Sequence, residues 1–62
     1  MLDIVKVRTG LFALVSYATP TPDAEGEILA VVPTFWEAFS LGFIVQMLED
    51  DMDGEIRYLS VD

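Results

Sequence analysis

The segment 34–48, TFWEAFSLGFIVQML, constrains the architecture more than any other stretch of this chain. Thr34 has Glu37 three positions after it, a Thr-x-x-Glu capping box that marks a helix start. Glu37 in the first turn also complements the helix dipole. A helix is therefore expected over residues 35–49, stopped by the Asp53-Gly54 turn. Wound at about 100° per residue, its apolar set (Phe35, Trp36, Ala38, Phe39, Leu41, Phe43, Ile44, Val45, Met47 and Leu48) passes nearly all the way round. Glu37, Ser40 and Gln46 are its only polar side chains before Glu49, and they share no face. A helix apolar on every side is buried on every side, yet one small sheet can cover only one side. A second surface is required: another copy of the chain, a different protein, or lipid.

Length sharpens this requirement. The 62 residues allow one domain, 1–62, without a cleft between lobes. A domain of this size buries only about 60% of the surface its unfolded chain exposes. Small scaffolds make up the difference with disulfides, a metal or oligomerisation. With no cysteine and no histidine, the first is closed and the second lacks its usual ligands. Lipid is disfavoured. Residues 28–48 are long enough to span a bilayer, but they contain Pro33 and Glu37, and a mid-membrane carboxylate costs roughly 2.5–3.5 kcal/mol. Ala38-x-x-x-Gly42 offers a small-residue patch that either admits a second backbone or lets the helix sit close on its own sheet.

The rest of the chain reads as strands. Residues 1–7 and 11–18 are apolar and β-branched around Arg8-Thr9-Gly10, with Gly10 suited to the positive φ of a bulged hairpin. A single bent strand with a bulge at Gly10 is the alternative. Residues 19–26, with two prolines, form a loop; 27–32 and 55–61 are further strands. In the last, Ile56 and Tyr58 share one face and Leu59 and Val61 the other. The order is ββ-loop-β-α-β, an α+β domain with one helix across a small, three- to four-stranded, mainly antiparallel sheet.

Charge narrows function. Eleven acids against three bases give −8, with 53% of residues apolar. Three bases neutralise too few phosphates for direct DNA or RNA binding, and an anionic membrane repels such a chain. An acidic chain is steered toward basic surfaces, many of which bind nucleic acid. Eight of the acids fall in two groups: Asp23, Glu25 and Glu27, and the denser Glu49, Asp50, Asp51, Asp53 and Glu55. Their simplest role is to keep an apolar domain in solution; their specific role is to stand in for phosphates. Residues 49–56 also resemble the first half of an EF-hand calcium loop, with oxygen ligands at Glu49, Asp51 and Asp53 and a glycine at 54. The likeness fails at the twelfth position, which is Ser60 instead of Glu, so at most weak calcium binding is implied.

Catalytic groups are scarce. Ser16, Ser40 and Ser60 have no recognisable base, there is no Gly-rich phosphate loop, and enzyme activity and a cofactor are not expected. The first residues, Met1-Leu2-Asp3, lack a basic n-region, and the absence of cysteine suits a cytoplasmic setting. The chain is thus expected to be a small acidic protein-binding module, an inhibitor or adaptor, and a homodimer or part of a complex. Its acids would face a basic partner, and Trp36, Phe39, Phe43, Met47 and Tyr17 would supply apolar contacts. In size, acidity and lack of catalytic groups it is similar in type to small phage proteins that disable host polymerases or CRISPR complexes. A structural accessory subunit is the alternative.

Overall fold

The structure, a computed structural model, describes residues 1–17, 26–49 and 54–61. The elements are β1 (Leu2–Arg8), β2 (Leu11–Tyr17), β3 (Gly26–Val32), α1 (Phe35–Leu48) and β4 (Ile56–Ser60). They form a four-stranded mixed sheet in the order β3-β2-β1-β4, with α1 packed across one face: an α+β fold, as the sequence order implies. β1 and β2 are a hairpin, which settles the choice between hairpin and bent strand. Gly10 takes φ 82° in its turn, where a Cβ would be strained. β2 pairs antiparallel with β3, whereas β4 pairs parallel with β1. That parallel pair requires a crossover, and α1 supplies it by carrying the chain from one sheet edge to the other.

Strand alternation sorts the sheet into two faces. Ile4 lies opposite Leu14 on one side and Tyr58 on the other, and Leu2 lies opposite Ile56. These residues face α1. Leu2, Ile4, Leu14 and Ala38 form the buried core, with Phe12, Ala30, Val32, Phe35, Val45 and Ile56 packed against it. The other face carries Asp3, Val5, Ala13, Val15, Ile28, Val31, Arg57 and Leu59, and α1 does not cover it. Extra residues at Val7 in β1 and Leu29 in β3 interrupt the ladders as bulges.

The helix starts where the capping box places it. Thr34 is extended (φ −129°, ψ 152°) and its Oγ1 accepts from the Glu37 N–H at 3.3 Å. The reciprocal contact differs from the standard box, because the Thr34 hydroxyl donates to the Glu37 carboxylate at 2.8 Å. The helix ends one residue earlier than expected, with the Glu49 N–H donating to Val45 O at 3.0 Å.

The small residues decide which side of α1 faces inward. Ala38, Gly42 and Gln46, spaced four apart, are its buried positions. A Cβ on Gly42 would stand 3.3 Å from both Ile56 Cδ1 and Leu14 Cδ1. Ala38-x-x-x-Gly42 therefore seats the helix on its own sheet, and does not meet a second backbone. Gln46 anchors the far end of the helix by donating Nε2–H to Gly54 O at 2.7 Å, just before β4.

Candidate functional site

Two surfaces carry the residues singled out in the sequence. The first is the end of the molecule where β2 finishes and β3 and β4 begin. Tyr17 pairs with Gly26, Ser16 with Glu27 and with Leu2, and Leu2 with Ile56. The helix C-terminus reaches the same end through the Gln46–Gly54 hydrogen bond. Glu27, Glu49 and Glu55 are all exposed there. Asp23, Glu25, Asp50, Asp51 and Asp53 lie outside the described residues. The residues flanking both acidic segments (Tyr17 with Gly26, and Glu49 with Gly54) nevertheless stand at this one end. The described members of the two acidic groups, Glu27 from the first and Glu49 and Glu55 from the second, thus stand at one pole. The N-terminal ammonium is there too, donating to Tyr17 O at 3.1 Å. Among the described residues, no three Asp or Glu side chains gather in a group able to hold a metal ion.

The second surface is the outer side of α1. Trp36, Phe39, Phe43 and Met47 are all exposed on it, as are Ile44 and Leu48, with Trp36 at 72% and Leu48 at 82%. Its N-terminal half is aromatic. Phe35, half-buried, is the hub: its ring centroid lies 5.4 Å from Trp36, 5.4 Å from Tyr58, 6.0 Å from Phe39 and 6.4 Å from Phe12. Trp36, Tyr58 and Phe12 meet Phe35 edge-on and Phe39 stacks on it; such pairs add about 0.5–1.5 kcal/mol each beyond burial and hold the outer rings in place. Beside them a shallow groove is lined by Val32, Trp36, Glu37, Ser40 and Leu41. Tyr17 is not part of this surface; it ends β2 on the face of the sheet turned away from α1. The structure therefore unites four of the five expected apolar contact residues and separates the fifth.

Lys6 and Arg8 lie toward the end opposite the acidic pole. Lys6 is in register with Phe12, against which the first helical ring, Phe35, packs, and Arg8 pairs with Leu11 beside the hairpin turn. Lys6 and Arg8 thus stand toward the N-terminal end of α1, which also carries the exposed Glu37, and Glu49 and Glu55 toward its C-terminal end.

One polar feature escapes sequence reasoning. Arg57 grips Asp3 with two parallel hydrogen bonds, Nε to Oδ1 at 2.9 Å and Nη2 to Oδ2 at 3.0 Å, across the parallel β1–β4 pair. Asp3 is 1% exposed and the Arg57 side chain 49%. The guanidinium pKa is raised, first by the hydrogen bond and charge of Asp3 and more weakly by Tyr17 and Glu55. The alternation of each strand puts Asp3 and Arg57 away from the core, but only the strand order brings them together. The pair sits on the face turned away from α1, in register with Val15 and flanked along the strands by Val5 and Leu59. It ties the last strand to the first.

No helix among the described residues is long and apolar enough to cross a membrane. Comparison with known proteins finds no matching family model, no similar curated protein and no similar solved structure.

Proposed function

We propose that this protein is a small, acidic, non-enzymatic binding module. It acts as an inhibitor or adaptor that docks its acidic pole on a basic, nucleic-acid-binding surface of another protein. One observation carries the proposal: the fold gathers Glu27, Glu49, Glu55 and the flanks of both acidic segments at one end. Acids that served only to keep the domain in solution would have no reason to converge. A concentrated negative pole speeds encounter with a positive patch and opposes binding to acidic surfaces. Met47 and Leu48, exposed beside Glu49, add apolar contact at the rim of the pole.

The test is capture of nucleic-acid-binding proteins from the native host, followed by elution with double-stranded DNA. The expected result is release by DNA and by high salt, and loss of capture when Asp50, Asp51 and Asp53 are all changed to Asn. Retention that ignores both DNA and salt, or survives the triple change, removes the phosphate-like role, because exposed charge contacts are screened. A second reading, a permanent subunit of a larger assembly, is favoured by the sheet face turned away from α1, where Ile28 and Val31 are more than half exposed. That reading predicts aggregation of the chain expressed alone and restored solubility on co-expression with its assembly.

A further inference from the structure

We infer that the groove where β3 passes into the first two turns of α1 receives an arginine side chain of a partner protein. The inference does not rest on the acidic pole, which lies at the other end of α1. The groove is shallow, about 400 Å³ in volume, and is lined by Val32, Trp36, Glu37, Ser40 and Leu41. Its helical residues form two neighbouring rows at four-residue spacing, Trp36 with Ser40 and Glu37 with Leu41.

Three features select a guanidinium. The first is an unmatched charge. Glu37 is exposed, and its carboxylate accepts a hydrogen bond from the Thr34 hydroxyl at 2.8 Å, which fixes its position without neutralising it. Among the described residues, which include all three basic side chains, the one ion pair is Arg57 with Asp3. An anion would be repelled by Glu37, and a purely apolar ligand would desolvate it without a partner. The second is Trp36, 72% exposed yet held by edge-on contacts to Phe35 at 5.4 Å and Phe39 at 6.2 Å. Indole is the best aromatic platform for a cation. A guanidinium, planar and weakly hydrated, stacks on such a ring while its N–H groups reach a carboxylate. The third is shape. A shallow trough admits a flat group, the apolar surface of Val32 and Leu41 takes its methylene stem, and the Ser40 hydroxyl adds an acceptor. The positive end of the helix dipole opposes a cation here with only about half a unit charge, against the whole charge of Glu37.

Trp36 is the one tryptophan, so its indole N–H gives a single NMR signal. The test is a titration of the full chain, at fixed ionic strength, with the Nα-acetyl amides of arginine, citrulline and lysine. The arginine amide is expected to move the indole signal and the backbone signals of residues 36–41 saturably, with a dissociation constant on the order of 10 mM. The citrulline amide, which has the same shape without the charge, should bind roughly five- to thirtyfold more weakly. The lysine amide, whose compact ammonium cannot lie flat on the ring, should also bind more weakly than arginine. Glu37→Gln should reduce arginine to the citrulline level, while glutamine still serves the capping box and keeps the helix start. Diffuse attraction to a chain of net charge −8 would survive the loss of one carboxylate. Absence of a saturable shift, citrulline or lysine binding as tightly as arginine, undiminished binding to Glu37→Gln, or shifts centred on Glu49 and Glu55 overturns the inference. Should Glu37→Gln lose its helical circular dichroism, the three ligands on the unaltered chain and the position of the shifts decide.

Discussion

The two sides of α1 differ in size and hardly in polarity. The inward side presents Ala38, Gly42 and Gln46; the outward side presents Trp36, Phe43, Ile44, Met47 and Leu48. A helix oriented by hydrophobicity alone would turn its largest apolar residues inward. This one turns them outward, because the sheet beneath already fills the interior with Leu2, Ile4, Leu14 and Ile56, and close approach needs small residues. Dense packing favours the orientation in which backbones approach and large sheet side chains fill the gap. The bulky residues are then left over, which is how a 62-residue chain comes to carry an apolar surface on the outside.

The largest effect expected from breaking this arrangement lies on the sheet side of the contact. Leu14 is 1% exposed and reaches the position of the missing Gly42 Cβ. Leu14→Ala should cost about 2–5 kcal/mol through lost burial and an unfilled cavity. A chain of this length has about 3–9 kcal/mol in total. Urea titration followed by circular dichroism should show a protein at or near the edge of unfolding. A loss below about 1 kcal/mol would mean that the helix does not depend on this seat.

A subtler break is Gly42→Leu. By helix propensity the change gains about 0.8–1 kcal/mol, and by hydrophobicity it adds apolar surface. The geometry sets the opposite sign. A bare Cβ already stands 3.3 Å from Leu14 Cδ1 and Ile56 Cδ1, so three further carbons must displace buried side chains. Overpacking of this kind costs about 1–3 kcal/mol, and a net fall in the unfolding midpoint is expected. A rise in midpoint would show that α1 can turn or lift on the sheet, and that inner and outer sides are interchangeable.

The contrast also explains what could be read in advance. The helix start was legible because a cap is local: Thr34 and Glu37 carry it within one turn. Gly10 was legible for the same reason. The facing of α1 was not, because Phe43 and Ile44 are as apolar as any core residue, and Ala38-x-x-x-Gly42 suits a sheet and a second helix equally. The Asp3–Arg57 pair joins residues 54 apart in sequence. Nothing near either of them announces the other until β4 is known to lie parallel beside β1. The acidic pole stands between these cases: both acidic groups are plain in the sequence, but that their described members Glu27, Glu49 and Glu55 share one end depends on Tyr17 pairing with Gly26 and on Gln46 reaching Gly54.

The smallest expected effect is the most direct measure of the outer side. Met47 is 56% exposed and Ile44 is 49% exposed. Each truncation to alanine removes a side chain that is only about half packed. Alanine also has the better helix propensity, most clearly against β-branched Ile44. These terms oppose each other, so Ile44→Ala and Met47→Ala should shift stability by no more than about 0.5 kcal/mol in dilute protein. Denaturant unfolding at the lowest workable concentration checks this. The condition matters, because association with any partner that binds only the folded chain adds apparent stability by mass action. If either substitution costs as much as Leu14→Ala under dilute conditions, the outer side belongs to the core of the single chain. If both are silent when dilute but costly when concentrated, the stability they carry is that of an assembly.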